Sequence, residues 1–227
     1  MTLNNSGPFF LVFSKQEKKA HKRSKWTSSR GGNFLLVMNV DISSTLTHKQ
    51  EKYIHSAFIA LIVISFLLRL LYFIQNPPSL HQDEAMTGYN AYAVSRTLKD
   101  YRGYMLPAQI HGFGNIGIVS PLYTYLTVPF VAIMGLNETS VRLPALLLNV
   151  ALLPIFFMLV SKLFKNKVLA LICTILLSFN PWHFHFSRIA HEAVIVPFML
   201  FTSALLLISA LTEEKYKLFF IATGLMT

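Results

Sequence analysis

Acidic residues are scarce in this chain, ten Asp and Glu among 227, and charged residues of every kind reach only 13%. A soluble domain of this size carries about 25%, so the composition excludes an ordinary water-soluble protein. The single cysteine, Cys173, excludes an intrachain disulfide and leaves the compartment unread. No Walker, Rossmann or zinc-finger spacing occurs, and no internal repeat. Phe9 to Phe13 is too short for the core of a secretory signal and precedes the positive cluster that it should follow. What the chain has in quantity is apolar surface. Hydrophobic residues make up 53%, with a mean hydropathy of +0.49, as in an integral membrane protein.

The net charge of +10 is unevenly placed. Residues 1–56 hold nine Lys and Arg against Glu17, Asp41 and Glu51, which supplies +6 of the total. A Lys/Arg/Ser-rich stretch of this kind beside a membrane span reads as a disordered basic tail near anionic lipid headgroups. The expected partner of the tail is therefore the lipid surface and not a nucleic acid. An over-extended gene start is the other reading of the same stretch.

Spans of about 20 apolar residues are expected at 57–75, 143–161, 168–180 and 193–211. A fifth run, 218–227, meets the end of the chain, which reads as the mark of a fragment. The segment Pro121 to Leu136 is apolar enough to cross, and topology turns on it. The tail and the link Lys162-Leu163-Phe164-Lys165-Asn166-Lys167 are both basic and both belong on the cytoplasmic side. An even number of crossings must separate them, so 121–136 is expected to lie at the interface, as Pro121, Pro129, Tyr123 and Tyr125 suit. Residues 1–56 are then a cytoplasmic tail and 57–227 a membrane domain with external loops at 76–142 and 181–192. A juxtamembrane helix is expected from Glu84 to Leu98, with Asp83 as its N-cap. Gly103, Pro107, Gly112, Gly114 and Gly117 then break regular structure.

The external loops gather the unusual polar residues. The first carries His81, Asp83, Glu84, Asp100, Arg102, His111 and Arg142; the second carries His183, His185, Arg188, His191 and Glu192. Arg69, near the outer end of the first span, is within reach of them by snorkelling. A carboxylate serves as a general base, and arginines bind phosphate in a two-point fork. Together they suit a reaction on a phosphorylated lipid. Each residue also has a plainer reading. Asp83-Glu84 is equally a helix cap, Glu192 a dipole partner, and Arg69 and Arg142 interface markers. The histidines are either interfacial aromatics or, as His183 and His185 with Glu192, ligands of a divalent metal ion. Asn137-Glu138-Thr139 is a glycosylation sequon where the machinery exists.

Five ordered stretches between Asp83 and Glu192 carry a resemblance. They are Asp83-Glu84-Ala85 with Gly88-Tyr89-Asn90-Ala91-Tyr92; Gly103 to Pro107; Ser120-Pro121-Leu122-Tyr123; Val141-Arg142-Leu143-Pro144; and Pro181-Trp182-His183 leading to Phe186-Ser187-Arg188 and Glu192. The chain resembles the lipid-carrier-dependent glycosyltransferases of the protein-O-mannosyltransferase and aminoarabinose-transferase superfamily (glycosyltransferase family 39 and its relatives), most of all the bacterial members.

The resemblance implies an all-α, multispan helical bundle of the GT-C type in the plasma membrane, with juxtamembrane helices in the first external loop. It implies a polyprenyl-phosphate sugar donor and inverting, single-displacement transfer at the outer face to an acceptor it does not identify. It implies Asp83 as base, Glu84 as its companion, Glu192 as a residue that positions the acceptor or a metal, and Arg188 and Arg69 as donor-phosphate ligands. Arg142 joins them as a further phosphate-binding candidate from the first loop. Two departures stand out. Val119-Ser120-Pro121 replaces the family's paired prolines, and members run to more than twice this length. The competing expectations are a non-catalytic binder of lipid-linked sugars, a transporter subunit, or a truncated inactive fragment. Transporters place ionisable residues within spans, and here only Arg69 is so placed, which favours interfacial catalysis.

Overall fold

A computed structural model describes residues 48–71, 73, 75, 77–111, 118–119, 121–213 and 216–226. Most of the basic tail, Ser120, Lys215 and the glycines at 112, 114 and 117 lie outside the described residues. What is described is an all-α protein: α1 (His48–Leu70), α2 (Gln82–Thr97), α3 (Pro121–Met134), α4 (Glu138–Phe164), α5 (Lys167–Ser178), α6 (Pro181–Phe186), α7 (Ile195–Glu213) and α8 (Tyr216–Met226). Among the described residues, two strands of two residues each, β1 (Ile110–His111) and β2 (Ile118–Val119), pair in antiparallel register.

The caps explain the boundaries. Asn137 accepts the Ser140 N–H at 2.9 Å to open α4, and Asn166 and Asn180 do the same for α5 and α6. Pro121 and Pro181 each sit at the first helical position, where a missing N–H costs nothing. Gly135 closes the α3 end at φ +77°, in the left-handed region.

Among the described residues three helices are long and apolar enough to cross a membrane: His48–Leu70, Glu138–Phe164 and Glu192–Thr212, the last running from a 3-10 turn (Glu192–Val194) into α7. The helix α3 has 14 residues and α5 has 12. At 1.5 Å per residue these are about 21 and 18 Å long, short of a hydrocarbon core of about 30 Å.

Ion pairs and hydrogen bonds sort the helix ends. Glu51 and Lys167 meet at 2.7 Å, and Lys162 reaches Ser209 at 2.7 Å, so the starts of α1 and α5 and the ends of α4 and α7 are tied pairwise through the basic link. At the opposite ends of these helices the C-termini of α1 and α5 meet α6, while the N-terminus of α4 meets α2. A core of Ala91, Tyr123, Val131, Val141, Ala145 and Val194 joins α2, α3, α4 and the start of α7 at that second end. Gly88 lets α2 approach closely: a β-carbon there would stand 2.7 Å from a Val141 methyl.

The structure corrects one boundary. The N-cap of α2 is His81, and Asp83 lies inside the first turn. The reason is Glu84, whose Oε2 reaches back to accept the His81 N–H at 3.0 Å. A residue three positions into the helix thus fixes its start.

Candidate functional site at the end of the bundle

Pro77 and Pro78 stop the chain from continuing as helix after α1, and Ser79 turns it through a left-handed φ of 58°. That turn delivers the start of α2 to the start of α4. There the two adjacent carboxylates part company.

Glu84 is buried, with 2% of its surface exposed. Arg142 grips it with two bonds, Nε to Oε1 at 3.0 Å and Nη2 to Oε2 at 2.8 Å. The Ala190 N–H donates to Oε1 at 2.7 Å, and the His81 N–H completes the set. Arg142 is wholly buried and spends its other donors on the carbonyls of Pro77 (2.8 Å) and Ser79 (2.5 Å). Burial alone would raise the Glu84 carboxyl. The hydrogen bonds from Arg142, Ala190 and His81 outweigh it and hold the carboxyl below the usual range. The pair therefore fastens four segments together: the 77–81 turn, α2, α4 and the 187–191 link.

Asp83 points the other way. Its side chain is 58% exposed, with His81 Nδ1 at 3.8 Å. It lines a groove of about 610 Å³ together with Pro78, His81, His185, Ile189 and His191. A second groove, of about 580 Å³, is lined by Pro77, Phe179, Pro181, Phe184, His185 and Arg188. Pro77 and His185 belong to both, so the grooves adjoin.

The two arginines expected near a phosphate meet around one aromatic ring. Arg188 stands 4.7 Å from the Phe184 centroid and Arg69 5.2 Å from it. Arg188 Nη2 donates to the carbonyls of Leu68 (3.1 Å) and Leu71 (2.5 Å), capping the C-terminus of α1. Its Nε is buried and has no hydrogen-bond partner among the described residues. Arg69, 1% exposed, donates to Ser178 O at 2.9 Å, to the Ser65 hydroxyl and to His183 Nδ1 at 2.8 Å. Burial, and then the Arg69 charge, push His183 down to about 4, so this imidazole is neutral near pH 7.

Among the sequence candidates, Asp83 and Arg188 thus line adjoining grooves; Glu84 borders the Asp83 groove as well, but its carboxylate is taken up by Arg142 and the Ala190 and His81 amides. Arg69 reaches the second loop through His183. The metal set does not assemble: among the described residues no three His, Cys, Asp or Glu groups converge at ligand distance. His183 meets a guanidinium, and His185 lines the grooves. Glu192 opens the 3-10 turn that leads into α7. Sequence reasoning named His191 among the loop residues but missed Phe184 and the Ala190 amide. Neither carries a local signal, because each matters only through a partner brought in from another helix.

The family described as dolichyl-phosphate-mannose-protein mannosyltransferase matches residues 39–226. No curated protein and no solved structure matches the chain.

Proposed function

The chain belongs to the dolichyl-phosphate-mannose-protein mannosyltransferase family, and on that premise we propose that it moves a sugar from a polyprenyl-phosphate donor to an acceptor hydroxyl with inversion. A multipass membrane glycosyltransferase that uses a lipid-linked sugar is the coarse reading that membership carries. The finer one rests on a single observation: Asp83 is exposed in one groove while Arg188 lines the groove beside it.

In this reading the acceptor occupies the Asp83 groove and the donor phosphate lies against Arg188. Asp83 takes the proton from the acceptor hydroxyl as its oxygen attacks the anomeric carbon. The bond from that carbon to the phosphate oxygen breaks on the opposite face, and the electron pair leaves with the polyprenyl phosphate. Arg188 stabilises the charge that develops there. Lipid phosphate is a good leaving group, so a base and a cation, correctly placed, supply most of what the reaction needs.

Glu84 is a positioning residue in this scheme. It holds the first turn of α2, and so Asp83, against α4. The end of the bundle that carries the grooves is assigned to the outer face of the cell membrane, since the opposite end carries the basic link. No step of the scheme runs through a metal ion.

The test is transfer of radiolabelled sugar from polyprenyl-phosphate donors by the wild-type chain and by Asp83→Asn. Loss of about 10²–10⁴-fold is expected for a missing general base. Undiminished transfer in the variant removes Asp83 from that role. Donor binding without transfer by the wild type would favour the non-catalytic binder.

A further inference from the structure

The segment that leaves α2 is a tight, internally bonded turn that presents apolar side chains outward. Leu106 N–H donates to Leu98 O at 2.9 Å, and Asp100 N–H to Tyr104 O at 2.9 Å. At its centre is Asp100, 4% exposed, whose Oδ1 accepts the Arg102 N–H at 3.0 Å and the Tyr104 N–H at 2.8 Å. Outside bonds fix it to the bundle: Tyr101 N–H to Asn90 Oδ1 at 3.2 Å, and Tyr125 hydroxyl to Pro107 O at 2.7 Å.

This rigid frame holds Leu98 at 52% exposure, Tyr104 at 61%, Met105 at 67% and Leu106 at 53%. Both leucines sit in the left-handed region, at φ 58° and 41°, which a side chain with a β-carbon disfavours. Strained backbone is thus used to keep apolar groups out of the protein. Exposed leucines on α1 or α7 face lipid as a matter of course, but this turn belongs to no span.

Charge indicates what covers it. Arg96 and Lys99, both exposed, rim the turn. Between Ala85 and Asn137 the chain has one carboxylate, Asp100, and it is turned inward. An apolar tip that includes a tyrosine, inside a cationic rim, has the composition of a headgroup-level anchor on an anionic bilayer.

We propose that the Leu98–Leu106 turn inserts Tyr104, Met105 and Leu106 into the headgroup–acyl boundary of an anionic membrane, with Arg96 and Lys99 against the lipid phosphates. The anchor lies at the α2 C-terminus, and the grooves lie at its N-terminus. It therefore braces against lipid the helix whose first turn carries Asp83.

The test places a nitroxide at Met105, as Met105→Cys in a Cys173→Ala background, with the full chain in vesicles of phosphatidylcholine with and without phosphatidylglycerol. A label at Tyr104→Cys serves as a second site, since both side chains are exposed and their loss leaves the turn's bonds intact. Insertion predicts collision rates severalfold higher with oxygen than with a water-soluble nickel complex. It also predicts that the preference grows with phosphatidylglycerol and shrinks when Arg96 and Lys99 are both changed to Gln. Faster collision with nickel would put the turn in water and overturn the proposal. An immobile label that meets neither quencher would mean that protein covers the turn, from a second copy or another chain, and would overturn it as well.

Discussion

Glu84 and Arg142, 58 residues apart, meet in a two-point ion pair with Nε–Oε1 and Nη2–Oε2 at 3.0 and 2.8 Å, each side chain almost wholly out of solvent. Around this pair the turn after α1, the start of α2 and the link before α7 are all hydrogen-bonded. Replacing either partner leaves a buried charge with no counterion, which costs about 3–5 kcal/mol. Glu84→Gln and Arg142→Met are each expected to lower the unfolding temperature in detergent markedly. The double replacement is expected to cost less than the two singles combined, as a double-mutant cycle would show. Simple additivity would mean that the two side chains do not act as a unit.

Acid should weaken the fold in two steps. The unfolded His183 titrates near 6.5, and its folded value is about 4. A base whose folded value is depressed binds its proton more readily when unfolded, so stability falls as pH drops from about 6.5 towards 4. Glu84 acts lower: its contribution is complete above 4.5 and is lost as pH falls through its depressed folded value. Denaturation scans from pH 7 to 4 should show a slope that flattens in His183→Asn. The same slope in the variant would assign it to other groups.

Gly88 should tolerate no larger residue unless its neighbour shrinks. A β-carbon there comes within 2.7 Å of a Val141 methyl and 3.0 Å of a Leu136 methyl. Overpacking of this kind costs about 1–3 kcal/mol, so Gly88→Ala is expected to destabilise and Val141→Ala to restore part of the loss. Thermal unfolding of the two singles and the double checks this. A double no better than Gly88→Ala alone would place the clash elsewhere.

Arg188→Gln separates a phosphate ligand from a helix cap. Loss of one charge-assisted hydrogen bond to the donor corresponds to a drop in kcat/KM of about 10–100-fold. Loss of the cap on Leu68 O and Leu71 O alone would lower stability and leave kcat/KM in place. Measuring both on one preparation distinguishes them.

Much of this was legible in the sequence because it depends on composition and spacing. Long apolar runs mark the three helices long enough to cross among the described residues, while the run expected to span at 168–180 forms the 12-residue α5; asparagines and prolines mark where α4, α5 and α6 begin. The address of Asp83-Glu84 at the mouth of a helix was equally readable. Which carboxylate stays open was not, because the deciding partners, Arg142 and the Ala190 amide, come from other elements. The N-cap of α2 moved from Asp83 to His81 for a local reason instead, since Glu84 also reaches back three residues to the His81 N–H. The expected Gly-rich loop proved to contain a turn built on Asp100, whose inward direction no periodicity reveals.

The clasp at Glu84 also sets an order of assembly. Its last donor, the Ala190 amide, is made more than 100 residues after the carboxylate that receives it. A nascent chain that has already inserted α1 and formed α2 still lacks the link that closes the wall of the Asp83 groove. The groove therefore takes shape late in synthesis, once the second helical hairpin has returned to the same end of the bundle, and an interrupted chain carries Asp83 beside a wall that is still missing Ile189, Ala190 and His191.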